Sequence, residues 1–163
     1  MLGKEYTVEN VACEAANSDL GAAAAYELWA TLSAVKSCAD YSEDLNRYET
    51  SLFRFPLAQR QLLAALEYLG CVEANGHQAY FASAASFGFG EAVSCFQSLG
   101  REDVVQNLQA ALASYQAQGA VAVGQTHTEF SELGGFDRDL AAANPIADLF
   151  RFSRRNQLEF ISW

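Results

Sequence analysis

The stretch from Leu62 to Leu112 constrains the fold of this chain more than any other part of the sequence. It begins as an apolar segment with leucines at helical spacing and is interrupted at Asn75-Gly76. Beyond the interruption, residues 78–83 predict a short helix, and Gly100 stands where a glycine commonly ends the helix over Glu91–Leu99. The pattern indicates helices that pack as antiparallel neighbours.

The rest of the chain continues in the same way. Residues 5–16 and 20–38 predict two helices, Pro56 suits the first turn of the long apolar helix, and residues 101–118 predict another helix with an apolar stripe. Asn144-Pro145 is typical of the start of a last helix, with the asparagine as its cap. At 163 residues and without an internal repeat, the sequence predicts an all-α fold, a single compact domain of about six to seven helices.

The charge of the chain excludes several classes of partner. Twenty Asp and Glu against ten Lys and Arg give a formal net charge of −10, so direct binding to nucleic acid or to an anionic membrane is not expected. The sequence shows neither a secretory signal pattern nor an apolar run of the about 20 residues that a membrane span needs. We therefore expect a cytoplasmic protein whose four cysteines are reduced thiols.

The turn in the middle of the chain has two interpretations. In the functional one, His77 and Gln78 present hydrogen-bonding groups beside an aromatic wall formed by Tyr80-Phe81, as in a small ligand or peptide site. In the structural one, Gly76 ends a helix with a left-handed turn, Asn75 or Gln78 caps free amides, and the aromatic pair fills the core. We favour the structural interpretation.

Patterns that would indicate catalysis are weak. His77 and His127 are the two histidines, and neither has a second ligand at metal-binding spacing, so a zinc site would need distant residues to converge. Cys71 or Cys95 beside His77 is more typical of a small apolar residue on a helix than of a nucleophile pair. We predict a non-enzymatic protein with no catalytic residue, no metal and no cofactor.

A family resemblance lies in the same region. The run Glu73–Phe81, the pair Glu91-Ala92 with Phe96, and the step Leu99-Gly100 before a further helix resemble the bacterial DNA-mimic proteins of the DMP type, a family catalogued as a domain of unknown function. The resemblance covers about residues 56–118. Its turn is carried by Glu73, Asn75, Gly76, His77, Gln78, Tyr80 and Phe81.

The resemblance implies an all-helical fold and, in one characterised branch, an acidic surface that imitates DNA and occupies DNA-binding proteins. Duplex DNA carries one charge for about every 1.7 Å of its axis, so a mimic needs carboxylates in ordered rows. The candidate acidic face consists of Glu43, Asp44, Glu49, Glu129, Glu132, Asp137, Asp139 and Asp148. The alternative is an ordinary acidic surface that keeps the protein soluble.

Three functional hypotheses follow from the sequence. The first is a non-enzymatic acidic interaction protein whose partner is a protein, of the basic DNA-binding class that the resemblance implies. The second is an immunity or antitoxin-type inhibitor of a toxin or enzyme. The third is a small-molecule-binding protein or enzyme that uses the turn around His77.

Overall fold

The computed structural model of the protein describes residues 32–33, 35–42, 44–121 and 130–156. Within these ranges the chain forms helices joined by short connections and contains no strand, which confirms the predicted all-α fold. Residues 35–38 are helical. The predicted helix 5–16 and most of the predicted helix 20–38 lie outside the described residues.

The named elements follow one another with short connections. In chain order they are α1 (Leu45–Leu52), α2 (Leu57–Phe81), a 3-10 turn (Ala84–Gly88), α3 (Phe89–Ser98), α4 (Glu102–Val121), α5 (Phe130–Ala143) and α6 (Ile146–Arg155). Asp44 caps α1, because its side chain accepts the amide of Asn46 at 2.9 Å. Gly100 follows α3 with a φ of 69°, as the sequence predicts for a glycine that ends a helix.

The connection between α5 and α6 differs from its prediction. Asn144 makes no side-chain cap on α6; it takes a φ of 39° after α5, a conformation that asparagine tolerates better than most residues. Pro145 occupies the position before the first residue of α6 and accepts the amides of Asp148 and Leu149 through its carbonyl. The predicted start of the helix is correct to within one residue.

Helix α2 forms the centre of the fold. It packs against the 3-10 turn, α3, α4, α5 and α6, and eleven of its residues are buried. Its apolar side chains meet those of the surrounding helices in one core, which includes Tyr48, Leu62, Tyr68, Tyr80, Phe96, Leu108 and Leu149. The burial of these side chains stabilises α2 although its backbone departs from helical geometry at Gly76. Among the described helices, none combines the length and the apolar character that crossing a bilayer would need.

Arg101 joins three helix ends. Its guanidinium donates to both carboxylate oxygens of Asp103 at 2.9 and 2.7 Å, to the carboxylate of Asp148, and to the carbonyl of Ala143 at 2.9 Å. Asp148 is 7% exposed and also pairs with Arg151 at 2.8 Å. The hydrogen bonds from Arg101 lower the pKa of Asp103 to about 2. The start of α4 is thereby held against the end of α5 and the first turn of α6.

We expect the Arg101→Gln variant to lose about 3 kcal/mol of unfolding free energy, because Arg151 is then the one cationic partner left to the buried carboxylate of Asp148 among the described residues. Urea unfolding followed by circular dichroism measures the loss. Arg47→Gln is the matched control: its pair with Asp44 is 3.8 Å long and exposed on both sides, so its loss should stay below about 1 kcal/mol. Equal losses in the two variants would contradict a structural role for Arg101.

A second prediction concerns the approach of the 3-10 turn to α2. A Cβ atom at Gly88 would lie 2.8 Å from the Cβ of Ala64 and 2.8 Å from the hydroxyl of Tyr48, whereas a Cβ at Gly90 would meet nothing within 4 Å. Gly88→Ala should therefore cost about 1–3 kcal/mol by overpacking. Gly90→Ala should be neutral or stabilising, because alanine is the better helix former. Thermal unfolding of the two variants, compared with the unaltered protein, tests the difference.

Candidate functional site

The family-motif turn lies at a break inside α2. Gly76 has a φ of 81° and a ψ of 168°, a combination that only glycine adopts readily, and helical geometry resumes after it. The break is at the predicted residue, but the conformation is not the predicted left-handed turn, because ψ is extended. A Cβ at Gly76 would also lie 2.8 Å from Oδ2 of Asp137 in α5. Glycine is therefore needed for the backbone angles and for the close approach of a second helix.

His77, the next residue, lies inside the protein. Its side chain is 0% exposed, and both ring nitrogens have partners: Nδ1 lies 2.5 Å from Oδ1 of Asp137, and Nε2 lies 2.8 Å from the hydroxyl of Tyr68. A neutral ring satisfies both contacts when Nδ1–H donates to the carboxylate and Nε2 accepts from the tyrosine. We call these three residues, Tyr68, His77 and Asp137, the polar chain.

Asp137 also caps the second segment of α2. Its Oδ1 accepts the backbone amide of His77 at 2.9 Å, one of the amides left free by the break at Gly76. The sequence predicted that Asn75 or Gln78 would cap this segment; for the amide of His77 the cap comes instead from a residue 60 positions away. A carboxylate at a helix start also interacts favourably with the helix dipole.

Burial and the carboxylate act in opposite directions on His77. Removal of the ring from water lowers its pKa, the hydrogen bond and charge of Asp137 raise it, and burial has the larger effect, so the pKa lies below its usual range. Burial also raises the pKa of Tyr68, which keeps that hydroxyl protonated as a donor. The lowered pKa of His77 thus favours the neutral form of the imidazole.

The other residues of the turn divide between core and surface. Tyr80 is fully buried, with its ring edge-on to Tyr68 at 5.1 Å, and Phe81 packs between Phe89 and Tyr115. The aromatic pair therefore contributes to the core, as the structural interpretation of the turn expects. The remaining motif residues, Glu73, Asn75 and Gln78, are exposed.

Neither Cys71 nor Cys95, the two candidate nucleophiles, has an activating contact with His77. The nitrogens of His77 are engaged by Tyr68 and Asp137. Burial raises the pKa of Cys95 to about 12 and also raises that of Cys71, which disfavours the reactive thiolate in both. Among the described residues, no group of three His, Cys, Asp or Glu side chains is placed to hold a metal ion. His127 lies outside the described residues.

The members of the predicted acidic face differ in exposure and in their partners. Asp44, which caps α1, Glu49 in α1 and Asp139 in α5 are exposed. Asp137, whose side chain is 34% exposed, binds His77, and the buried Asp148 binds Arg101 and Arg151. These two carboxylates therefore stabilise the fold and do not belong to a free acidic surface. Glu43, Glu129 and the side chain of Glu132 lie outside what the structure describes.

Cations stand beside several of the described carboxylates. Asp44 pairs with Arg47 at 3.8 Å, Glu91 with Arg60 at 4.0 Å, and Asp103 with Arg101 at 2.7 Å. Residues 53–156 hold ten acids and seven basic residues, whereas residues 1–52 hold nine acids and three basic residues. Most of the excess negative charge therefore precedes the helical core formed by α2 to α6.

The sequence analysis does not identify Tyr68 or Arg101 as an important polar residue. Tyr68 contacts His77 from nine positions earlier, across the break in α2. Arg101, which binds Asp148, is predicted only as the start of a helix. A basic residue directly after a helix-ending glycine is a weak signal for Arg101. We find no sequence signal that would have paired Tyr68 with His77.

Comparison with known protein families identifies the family of this chain. The model of a family described as DMP19-like protein matches residues 53–156, which include α2 through α6 and therefore the whole polar chain. No curated protein and no solved structure matches the chain.

The conformation of Gly76 gives a direct prediction. Gly76→Ala should cost about 3 kcal/mol of unfolding free energy, because alanine would be strained at this φ and its Cβ would displace the carboxylate of Asp137. Gly134→Ala in α5 is the control, since a Cβ there meets nothing within 4 Å and alanine favours the helix. Chemical denaturation should show a large loss for the first variant and none for the second; an unchanged midpoint for Gly76→Ala would contradict the geometry.

Proposed function

Because the chain belongs to the DMP19-like protein family, we propose that it is a non-enzymatic interaction protein that binds a basic, DNA-binding protein through carboxylates that stand in for DNA phosphates. Membership of the family is the observation that carries the proposal, since the resemblance of this chain to DNA-mimic proteins implies that kind of partner. The net charge of −10 supports it, because an acidic surface attracts a basic partner over long range.

The carboxylates that we assign to binding are the exposed members of the predicted face: Asp44, Glu49 and Asp139. Asp44 and Glu49 belong to the acid-rich part of the chain, residues 1–52. The pair between Asp44 and Arg47 is long and exposed, so a cationic partner can compete for this carboxylate at little cost. Asp137 and Asp148 serve the fold and are not assigned to the partner.

A role for the turn as a ligand site has less support. His77 is enclosed and both its nitrogens are engaged, so a small molecule would have to displace Tyr68 or Asp137 to reach them. The polar chain stabilises the break in α2, a structural role that explains its residues without a substrate. We therefore place partner binding on the surface.

The test is affinity capture from a lysate of the source organism at about 50 and about 500 mM salt, with and without duplex DNA as competitor. Binding through surface charge is strongly screened over this range. We expect DNA-binding proteins to be recovered at low salt, lost at high salt and displaced by DNA. A single salt-resistant partner that ignores DNA would contradict mimicry and favour a specific inhibitor, and the absence of any partner would contradict an interaction protein.

A charge-matched pair of variants tests the assigned carboxylates. The first combines Asp44→Asn, Glu49→Gln and Asp139→Asn; the second combines Glu73→Gln, Glu91→Gln and Glu102→Gln, which removes the same charge from acids outside the predicted face. Asparagine at position 44 still caps α1, so the fold should survive. We expect the first variant to lose at least tenfold in affinity for the captured protein and the second much less. Equal losses would mean that net charge, and not these residues, determines binding.

A further inference from the structure

We propose that Asn75 is a site of spontaneous modification, at which the side-chain amide is converted to a carboxylate by the backbone nitrogen of Gly76 and water. The contacts of Asp137 at the break in α2 set the rate of this conversion. The inference does not depend on the proposed function. It starts from the position of Asn75, an exposed asparagine directly before the glycine at which helical geometry is interrupted.

The reaction uses water as its one co-reactant. The backbone nitrogen of Gly76 loses its proton to base in the solvent and forms a bond to Cγ of Asn75, and the side-chain nitrogen leaves as ammonia. Water then adds to one of the two carbonyl carbons of the resulting five-membered succinimide ring and opens it. Opening at one carbonyl gives aspartate, and opening at the other gives isoaspartate, in which the main chain runs through the side-chain carbon. Both products carry one more negative charge than asparagine.

The other asparagines lack this combination of exposure and neighbour. Asn75 is the one asparagine of the sequence that precedes a glycine, and a glycine has no Cβ to obstruct the attack by its nitrogen. Its side chain makes no hydrogen bond to another residue that the structure describes. The side-chain amide of Asn107, in contrast, donates to the carbonyl of Phe136 at 3.1 Å. Asn46 is exposed but precedes an arginine, and Asn144 precedes a proline, whose nitrogen has no proton to lose.

The fold restrains the attack through contacts at and beyond Gly76. Asn75 keeps helical geometry at the end of the first segment of α2, and ring closure requires rotation of its backbone out of that geometry. Such a rotation displaces Gly76 and the amide of His77, which Oδ1 of Asp137 accepts at 2.9 Å. Oδ2 of the same carboxylate lies so close to Gly76 that a Cβ there would be 2.8 Å away. The reaction therefore proceeds from a locally open form, and its rate is proportional to the population of that form.

The two products affect the fold differently. Aspartate keeps the length of the main chain, so the amide of His77 remains within reach of Asp137. Isoaspartate adds one carbon atom to the main chain directly before Gly76, which shifts the second segment of α2 relative to the first. The attachment of α5 through Asp137 is then weakened. Conversion thus adds charge at an exposed position of an acidic chain and, in its isoaspartate form, loosens the break.

Incubation of the full chain at mildly alkaline pH, followed by peptide mass spectrometry, tests the site. We expect Asn75 to convert at least about tenfold faster than Asn46 and Asn107. We also expect it to convert more slowly than in the same chain unfolded in guanidinium chloride, where no contact restrains the backbone. Conversion of Asn75 no faster than that of the other two asparagines would overturn the site. Equal rates in the folded and the unfolded chain would overturn its control by the fold.

A pair of variants in α5 tests the role of Asp137. Asp137→Ala removes the acceptor of the His77 amide, so the conversion of Asn75 should accelerate by about tenfold or more. Arg138→Ala truncates the neighbouring, exposed side chain and should leave the rate unchanged. Equal rates in the two variants would overturn the role of Asp137. The comparison of the folded with the unfolded chain needs no variant, so it still decides the question if Asp137→Ala folds poorly.

A last comparison separates the two products. Asn75→Asp represents the aspartate product and should unfold at the denaturant concentration of the unaltered protein. The isoaspartate product, separated by chromatography after incubation and identified by enzymatic methylation, should unfold at a lower concentration. An equal midpoint for the isoaspartate product would overturn the predicted effect of the longer main chain.

Discussion

The fold depends on the carboxylate of Asp137 lying against the break in α2. Breaking a central helix leaves backbone amides without partners in a region that the surrounding helices bury. Asp137 accepts one of these amides and the ring of His77, and Gly76 permits the approach by having no side chain. Gly76, His77 and Asp137 together attach α5 to α2 at the break.

The break has a further consequence for packing. Because the direction of the chain changes at Gly76, Tyr80 is brought back toward Tyr68, and the two rings meet edge-on in the core. Aromatic pairs in this arrangement are favourable beyond the area that they bury. The glycine, the histidine and the aromatic pair of the turn are therefore explained by how they close the core.

Charged residues are distributed unevenly along the chain. Within the segment that matches the family, acids and bases are nearly balanced and several of them pair, as Arg101 does with Asp103 and Asp148. Most of the excess of acid precedes this segment in the sequence. The paired carboxylates stabilise contacts within the helical core. The exposed ones are those through which we propose that a basic partner is attracted over long range.

The sequence by itself determined the helical class, the position of the break at Gly76 and the end of α3 at Gly100, because these follow from the spacing of apolar residues and from the backbone freedom of glycine. The family followed from the resemblance of the motif around Gly76 to known family members. Only the tertiary structure decided the partners of the polar side chains. Asp137 and His77 are 60 residues apart, and Arg101 and Asp148 are 47 apart, so no local pattern pairs them. For the same reason the sequence analysis placed Asp137 and Asp148 on an acidic surface. In the folded chain Asp137 binds His77 and Asp148 binds Arg101.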